Sequence, residues 1–230
     1  MNRKFKFSIG EYYHLYSRGT DKRNIFLDDG DLRRFQVLLF LSNSAERLHL
    51  SNMTSYRGRT LMNVFSDNVS SNDLVDIGAY CLMPNHFHLL VREKIKNGIS
   101  QFMKKLLTGY SMYFNKKYER TGSLFESKFK ARHVNKDNYL KYLFAYIHLN
   151  PIKIIEPSWK ETGIKNKSEA IRFLKSYKFS SYLDYQENNR ESGKILSKKV
   201  FPAYFQKRSD FRNYIDWWLS FNFNHIKVRP

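Results

Sequence analysis

Residues 81–91 read CLMPNHFHLLV, and this stretch decides the fold. Pro84 and Asn85 are turn formers between two apolar runs, so they predict a hairpin of antiparallel strands. Side chains alternate along a strand, which places His86 and His88 together on one face. Two neutral imidazoles at a spacing fixed by a sheet suit a divalent ion. Two hydrogen-bonded histidines without a metal are the alternative until a third ligand is identified.

The composition favours a polyanionic partner. Lys and Arg number 40 and Asp and Glu number 21 among 230 residues, which gives a formal net charge of +19. A protein of that charge gains affinity for nucleic acid by releasing counterions from the phosphates. Aromatic residues make up 17% of the chain, and their faces can stack on unpaired bases, which favours single strands over duplex. A well-packed aromatic core beneath a basic surface is the alternative.

Other features of the sequence limit its class. Cys81 is the single cysteine, so an internal disulfide and a cysteine zinc site are excluded. No apolar run is long enough to span a bilayer and no secretory signal opens the chain, so we expect a cytoplasmic protein without a membrane partner. The length suffices for one core with an appended subdomain.

Hydrophobic periodicity predicts the remaining elements. We predict strands at about 12–17, 74–82, 86–92 and 128–134, and helices at about 29–47, 99–114, 136–150 and 211–223. Strand, helix, strand, strand, helix, strand is the ferredoxin-like order. The predicted fold is therefore α+β: a ferredoxin-like antiparallel sheet with helices on one face, followed by a mostly helical C-terminal extension. The core spans residues 1–155, with a flexible insertion near 51–73, and the extension 156–230 packs on or beside it.

The predicted helix 136–150 carries an unusual polar face. At 100° per residue, Tyr139, Tyr142, Tyr146 and Asn150 lie about a quarter-turn from the apolar stripe. Tyr146 and Asn150 are four residues apart and therefore neighbours at the end of the helix. Stacking on bases does not require such a pair.

Other candidate residues are predicted to be structural. Tyr110 and Tyr113 lie in the apolar stripe of the helix 99–114, so their expected role is packing. His148 points nearly opposite to Tyr146, and we do not expect it to share a site with that residue.

Taken in order, these motifs resemble the single-tyrosine HUH transposases, most closely the REP-associated tyrosine transposase branch of the IS200-like transposases. The resemblance spans roughly residues 10 to 185. It rests on five segments: residues 13–19, 83–88, 122–125, 146–151 and 179–182. The sequence departs from the family at Phe125, Glu126, Lys128 and Phe179, where the family often has Trp, Gln, Arg and Trp, and we expect these differences to affect DNA preference.

The resemblance implies a nuclease that cuts single-stranded DNA by transesterification. It implies that His86, His88 and Asn150 bind Mg or Mn and that Tyr146 attacks the phosphate to form a covalent phosphotyrosine intermediate. A tyrosine hydroxyl has a pKa near 10, so this chemistry needs an activated phosphate.

Basic residues near these motifs are predicted to contact DNA phosphates. They are Arg18, Lys116, Lys117, Arg120, Lys128, Lys130 and Arg132.

The predicted function is that of a metal-dependent single-stranded DNA endonuclease and strand transferase, acting on hairpin or repeat DNA as a monomer or homodimer. A non-catalytic single-strand binder on the same fold is one alternative. A metal-dependent hydrolase that uses water and forms no adduct is another.

Overall fold

The computed structural model describes residues 6–45, 72–187 and 190–220. Its sheet consists of four antiparallel strands in the order β2-β3-β1-β4: β1 (Tyr12–Arg18), β2 (Val75–Met83), β3 (His86–Glu93) and β4 (Lys130–Val134). This is the ferredoxin-like strand order, so the predicted α+β fold is confirmed. The insertion predicted near 51–73 lies outside the described residues except for its last two positions.

Two helices cover one face of the sheet. They are α1 (Asp29–Leu41) and α2 (Gly98–Lys117), and their apolar stripes pack Phe35 and Phe102 against Phe87 of β3. We call this side the α1/α2 face. The two helices occupy the ferredoxin-like positions predicted from the sequence.

Helix α1 ends earlier than the predicted boundary near residue 47. Asn43 donates a hydrogen bond to the carbonyl of Val75 and accepts one from its amide, both at 2.9 Å. These bonds attach the chain to the start of β2. The helix therefore ends at Leu41, and the turn that follows it is hydrogen-bonded to the sheet.

The opposite face of the sheet is covered as well. Helix α3 (Asp137–Leu149) packs Leu140, Leu143 and Ile147 against side chains of β2 and β3 that include Leu90. We call this side the α3 face. Strand β2 is at the edge of the sheet, but both of its faces are covered and residues 179–181 hydrogen-bond to its outer edge, which explains its unbroken burial.

The C-terminal extension docks on β2 and on α3. It contains α4 (Trp159–Thr162), α5 (Lys167–Ser176), α6 (Tyr182–Gln186) and α7 (Arg208–Ser220), joined by short 3₁₀ turns. The Ser181 amide donates to the Tyr80 carbonyl at 2.9 Å. Gly78 is required at its position because a Cβ there would lie 2.4 Å from the ring of Phe201.

Two predicted boundaries were wrong by a few residues. Strand β4 begins at Lys130, so Lys128 precedes it. Helix α7 begins at Arg208, three residues before the predicted start, and residues 221–223 of the predicted helix lie outside the described range. None of the described helices combines the length and apolar character needed to cross a membrane.

Candidate functional site

The hairpin orients its two histidines as the alternation of a strand requires. Phe87 and Leu89 belong to the core of the α1/α2 face, whereas Leu90 belongs to the core of the α3 face. His86 and His88 therefore point to the α3 face, with ring centroids 5.0 Å apart. His88 is buried and His86 is half-buried.

A third histidine, which the sequence analysis missed, completes this cluster. His14 on β1 is fully buried, and its Nε2 lies 2.9 Å from Nδ1 of His88. With the proton on His88 Nδ1 donated to His14, the lone pair of His88 Nε2 points away from β1. The alternation of side chains along β1 indicates the sheet face on which His14 lies. It does not indicate that His88, 74 residues later in the chain, is the residue that His14 contacts.

Tyr146 and Asn150 meet the histidines from above the sheet. The Tyr146 hydroxyl lies 3.4 Å from Nε2 of His88, and the two ring centroids are 5.3 Å apart. Tyr146 is 5% exposed and Asn150 is 1% exposed. Asn150 directly follows α3 and is the first residue of the 3₁₀ turn Asn150–Ile154. Because it comes four residues after Tyr146, it lies on the same side of the helix, one turn further along.

The local hydrogen bonds indicate which histidine nitrogens are free. Asn85 donates its amide nitrogen to the Lys22 carbonyl at 3.1 Å, which turns its oxygen toward Nδ1 of His86 at 2.6 Å. An oxygen acceptor there places the proton on Nδ1 and leaves a lone pair on Nε2 of His86.

All three imidazoles are neutral at physiological pH. Burial, followed by the positive charges of Lys153, Lys160 and Arg18, lowers the pKa of His86 to about 4. Burial, followed by Arg132 and Lys160, lowers the pKa of His14 to about 3. Burial also holds the pKa of His88 well below its usual value. Neutral imidazoles retain the lone pairs that cation binding needs.

Burial raises the pKa of Tyr146 well above its ordinary value, and a hydrogen bond with Asn150 opposes this rise. The phenol is therefore neutral at pH 7 and is a weak nucleophile unless the attacked group is activated. Asn150 therefore contacts the Tyr146 hydroxyl.

The residues present fit a divalent cation through nitrogen and amide oxygen donors. In the described ranges, no group of three or more His, Cys, Asp or Glu side chains is placed to hold a metal. However, the buried Oδ1 of Asn150 has no hydrogen-bond partner there, and Asn150 contacts the same Tyr146 hydroxyl that lies 3.4 Å from Nε2 of His88. A buried amide oxygen without a partner is costly, and a cation would satisfy it. His88 Nε2 has one lone pair, so it can bind a cation or accept the Tyr146 proton, but not both at once.

Three of the predicted phosphate-contacting residues lie on the same sheet face as the histidines, and one of them, Arg18 of β1, pairs directly with His86. In β4, Arg132 pairs with His14 and Lys130 pairs with Tyr16. The Arg132 guanidinium lies 5.0 Å from the ring centroid of Tyr139. These residues place positive charge and aromatic surface next to the site.

Arg18 and Lys130 share a carboxylate. Glu126 accepts from Arg18 through Nε at 3.1 Å and Nη2 at 2.9 Å, and lies 3.2 Å from Lys130. The interaction holds the pKa of Glu126 below its usual value. Glu126 is one of the positions where the sequence departs from the resembled family, and here it orders two cations.

The other predicted contacts lie elsewhere. Lys116 and Lys117 belong to α2, which covers the opposite face, and Arg120 follows that helix. The Lys117 ammonium binds Asp28 and Asp31, both at 2.7 Å. Lys128 is exposed just before β4. Within the described residues, no hydrogen bond, ion pair or ring contact joins these four side chains to the histidines, so the structure does not bring them into the cluster.

The residues predicted to be structural have local partners. Tyr110 donates to the Ile25 carbonyl, and Tyr113 donates to Asp31 at 2.9 Å. His148 Nε2 lies 2.8 Å from the Ser181 hydroxyl, on the side of α3 that faces the extension.

Comparisons with known proteins were informative for one part of the chain. The family described as "Transposase IS200 like" matches residues 45–150, a span that includes His86, His88, Tyr146 and Asn150 but not His14. A search of curated proteins found no match. Among solved structures, a REP-associated tyrosine transposase bound to a REP hairpin shares 12% identity with a TM-score of 0.46, over 90% of this chain and 89% of that chain. The family match confirms the resemblance that the motifs predicted: over residues 45–150, this chain is similar to the IS200-like transposases.

Proposed function

We propose that this protein cuts and rejoins single-stranded DNA by transesterification, with Tyr146 as the nucleophile. The observation that carries the proposal is the convergence of the Tyr146 hydroxyl, His88 Nε2 and the unpartnered Asn150 Oδ1 in one buried cluster. This cluster lies on the sheet face that also carries Lys130 and Arg132. The similarity to the IS200-like transposases supports DNA as the substrate.

His86, His88 and Asn150 would hold a Mg or Mn ion in this proposal. When bound, the ion supplies positive charge that polarises the scissile phosphate and stabilises charge developing on it. Because the histidines are neutral and Asn150 is an amide, the ligands do not cancel that charge.

The chain's own residues perform the remaining steps. The Tyr146 oxygen forms a bond to phosphorus, the bond from phosphorus to one sugar oxygen breaks, and the phenol proton is lost as the leaving oxygen gains one. The Asn150 amide orients the phenol, and the buried surroundings limit access by water. The new phosphotyrosine ester keeps the energy of the phosphodiester, so a sugar hydroxyl can reverse the reaction without a nucleotide cofactor.

Lys130 and Arg132 would position the strand on the same sheet face. Their contacts to phosphates carry no base preference, and they make binding sensitive to salt. The half-buried rings of Tyr16 and Tyr139 lie near Arg132, and their accessible parts offer stacking to unpaired bases. We expect affinity for single-stranded or hairpin DNA to exceed affinity for blunt duplex at matched salt, and to fall steeply as salt rises.

The proposal is tested with labelled single-stranded hairpin DNA incubated with Mg or Mn. A protein–DNA adduct that survives denaturant is the expected product of the wild type. Tyr146→Phe should form none, whereas Tyr142→Phe should form it normally. Tyr142 is a matched control because it stacks on Tyr146 in the same helix, with ring centroids 6.0 Å apart.

The alternatives give different results in the same assay. A non-catalytic binder retains the DNA but neither cuts it nor forms an adduct across a broad panel of hairpins. A hydrolase that uses water cuts the DNA without an adduct, and Tyr146→Phe would leave cutting intact.

A further inference from the structure

We propose that Lys160 is a phosphate-contacting residue of this site: its ammonium binds the phosphate that Tyr146 attacks and stays paired with that phosphate in the phosphotyrosine linkage. The inference rests on the proposed function and adds to it a residue from the C-terminal extension, beyond the span that matches the family.

The position of Lys160 is the first support. Its Nζ lies 3.9 Å from the centroid of the Tyr146 ring, which is a cation–π contact. A phosphate joined to the oxygen of that ring would lie beside the ammonium. Lys160 is held there by helix α4, because its neighbour Trp159 is fully buried in the core of the α3 face.

The electrostatics of the cluster are the second support. The Lys160 ammonium lies over the Tyr146 ring, and that ring is 5.3 Å from the ring of His88, so the ammonium is near the atoms proposed to bind the metal. Its charge also contributes to the lowered pKa of His14, His86 and His88. When Lys160 is protonated, the protein itself therefore supplies a positive charge to the site.

The lack of a counter-ion is the third support. Across the described ranges no carboxylate forms an ion pair with Lys160, although Glu161 is its neighbour in sequence. Burial and the charge of Lys153 lower the pKa of Lys160 to about 8. A partly buried ammonium that faces an aromatic ring and another cation is short of negative charge. A DNA phosphate would supply it.

The contribution of Lys160 differs between the stages of the reaction. As the oxygen of Tyr146 bonds to phosphorus and the sugar oxygen leaves, negative charge concentrates on the phosphoryl oxygens, and a fixed cation stabilises it. Afterwards the same ammonium pairs with the phosphate diester on the tyrosine. It undergoes no bond change itself, so the proton balance of the step is unaltered.

The first test measures adduct formation with three variants. Lys160→Met removes the charge and keeps the length of the side chain, Lys160→Arg keeps the charge, and Lys175→Met removes a charge from an exposed position in the same extension. We expect Lys160→Met to slow adduct formation about tenfold or more and to weaken DNA binding by a smaller factor, because the ammonium contacts the phosphate in the bound state and stabilises it most in the transition state. Lys160→Arg should recover much of the rate, and Lys175→Met should retain it.

The second test does not depend on cleavage. Free and DNA-bound Tyr146→Phe protein is treated with an amine-acetylating reagent, and each lysine is quantified by peptide mass spectrometry. We expect single-stranded DNA to protect Lys160 strongly and Lys175 weakly.

The outcomes separate this inference from the proposed function. If the wild type forms no adduct, the proposed function fails, and the protection experiment alone decides whether Lys160 contacts DNA phosphate. A Lys160→Met protein that cleaves at the wild-type rate, a Lys160→Arg protein no faster than Lys160→Met, or a Lys160 that DNA leaves unprotected would overturn the inference. If Lys160→Met does not fold, Lys160→Arg and the protection of Lys160 give the result.

Discussion

Tyrosine hydroxyls on the two faces of the sheet have different hydrogen-bond partners. On the α1/α2 face, Tyr110 and Tyr113 donate their hydroxyl protons to a backbone carbonyl and to a carboxylate. On the α3 face, the Tyr146 hydroxyl contacts only side chains of the candidate site, His88 at 3.4 Å and Asn150, while Asn150 Oδ1 and His14 Nδ1 have no described partner. Single unpartnered polar atoms also occur on the α1/α2 face, for example at Ser17 and Ser42, but at His14 and Asn150 they lie beside the Tyr146 hydroxyl, and such a grouping is expected of a ligand site.

The largest expected difference between the faces is in covalent chemistry. Tyr146→Phe should abolish the adduct, because it removes the attacking oxygen, while DNA affinity stays within about twofold of the wild type. Tyr110→Phe should keep adduct formation but lower the free energy of unfolding by about 1–3 kcal/mol, because the buried Ile25 carbonyl loses its donor. Denaturing gels and urea unfolding measure the two effects. Loss of the adduct in a folded Tyr110→Phe protein would contradict this division.

Next in size is the response to metal. His86→Ala and His88→Ala should each lower Mg- or Mn-dependent cleavage on the order of a hundredfold or more, since each removes a nitrogen ligand. Asn150→Ala should have a milder effect. The control is His133→Ala, because His133 is half-buried on the opposite face of the sheet, where it contacts Glu11 at 2.7 Å. Cleavage by His88→Ala at the wild-type rate would remove the histidines from the proposed metal site.

A smaller effect is expected at His14. His14→Ala removes the side chain that fixes the orientation of His88, which typically weakens metal binding about 10–100-fold. The measurement is cleavage as a function of Mn concentration, and the expected result is a shifted midpoint with much of the maximal rate restored at high Mn. An unchanged midpoint would show that the contact between His14 and His88 serves only packing.

The smallest effect concerns acid stability. Burial lowers the pKa of His148 to about 3, so between pH 6.5 and that value the unfolded chain binds a proton that the folded chain does not. The contribution of His148 to the free energy of unfolding is fully present above pH 6.5. It decreases as the pH is lowered, by up to about 1.4 kcal/mol per pH unit. His148→Gln should therefore show a shallower decline in the free energy of unfolding from pH 6.5 to 4.

His148 is fully buried between α3 and the C-terminal extension, so we assign this acid sensitivity to the α3 side of the sheet. Urea unfolding at several pH values measures it. An identical pH slope in His148→Gln and wild type would contradict the assignment.

Local sequence patterns were sufficient for the sheet and for part of the candidate site. The alternation of 86–91 and the i, i+4 spacing of Tyr146 and Asn150 each depend on one element, and both agree with the geometry observed. The end of α1 was missed because Asn43 bonds to a strand more than thirty residues later. Sequence periodicity carries no information about such a contact.

The same limit explains the residues that were missed. His14 is a lone histidine in a strand until the register of β1 against β3 places it beside His88. Lys160 belongs to an extension of short helices and turns, where no period indicates which side chain faces Tyr146. The basic residues were selected by charge alone, and the structure separates Lys130 and Arg132 from Lys117, whose charge is already matched by two carboxylates.

Peptide mapping of the trapped adduct tests the central claim most directly. Wild-type protein is incubated with single-stranded hairpin DNA and Mn, denatured and digested with protease and nuclease, and the modified peptide is sequenced by mass spectrometry. The account predicts a nucleotide attached to Tyr146 and to none of Tyr110, Tyr113, Tyr139 or Tyr142. A nucleotide attached to any other residue, or cleaved DNA with no modified peptide, would contradict it.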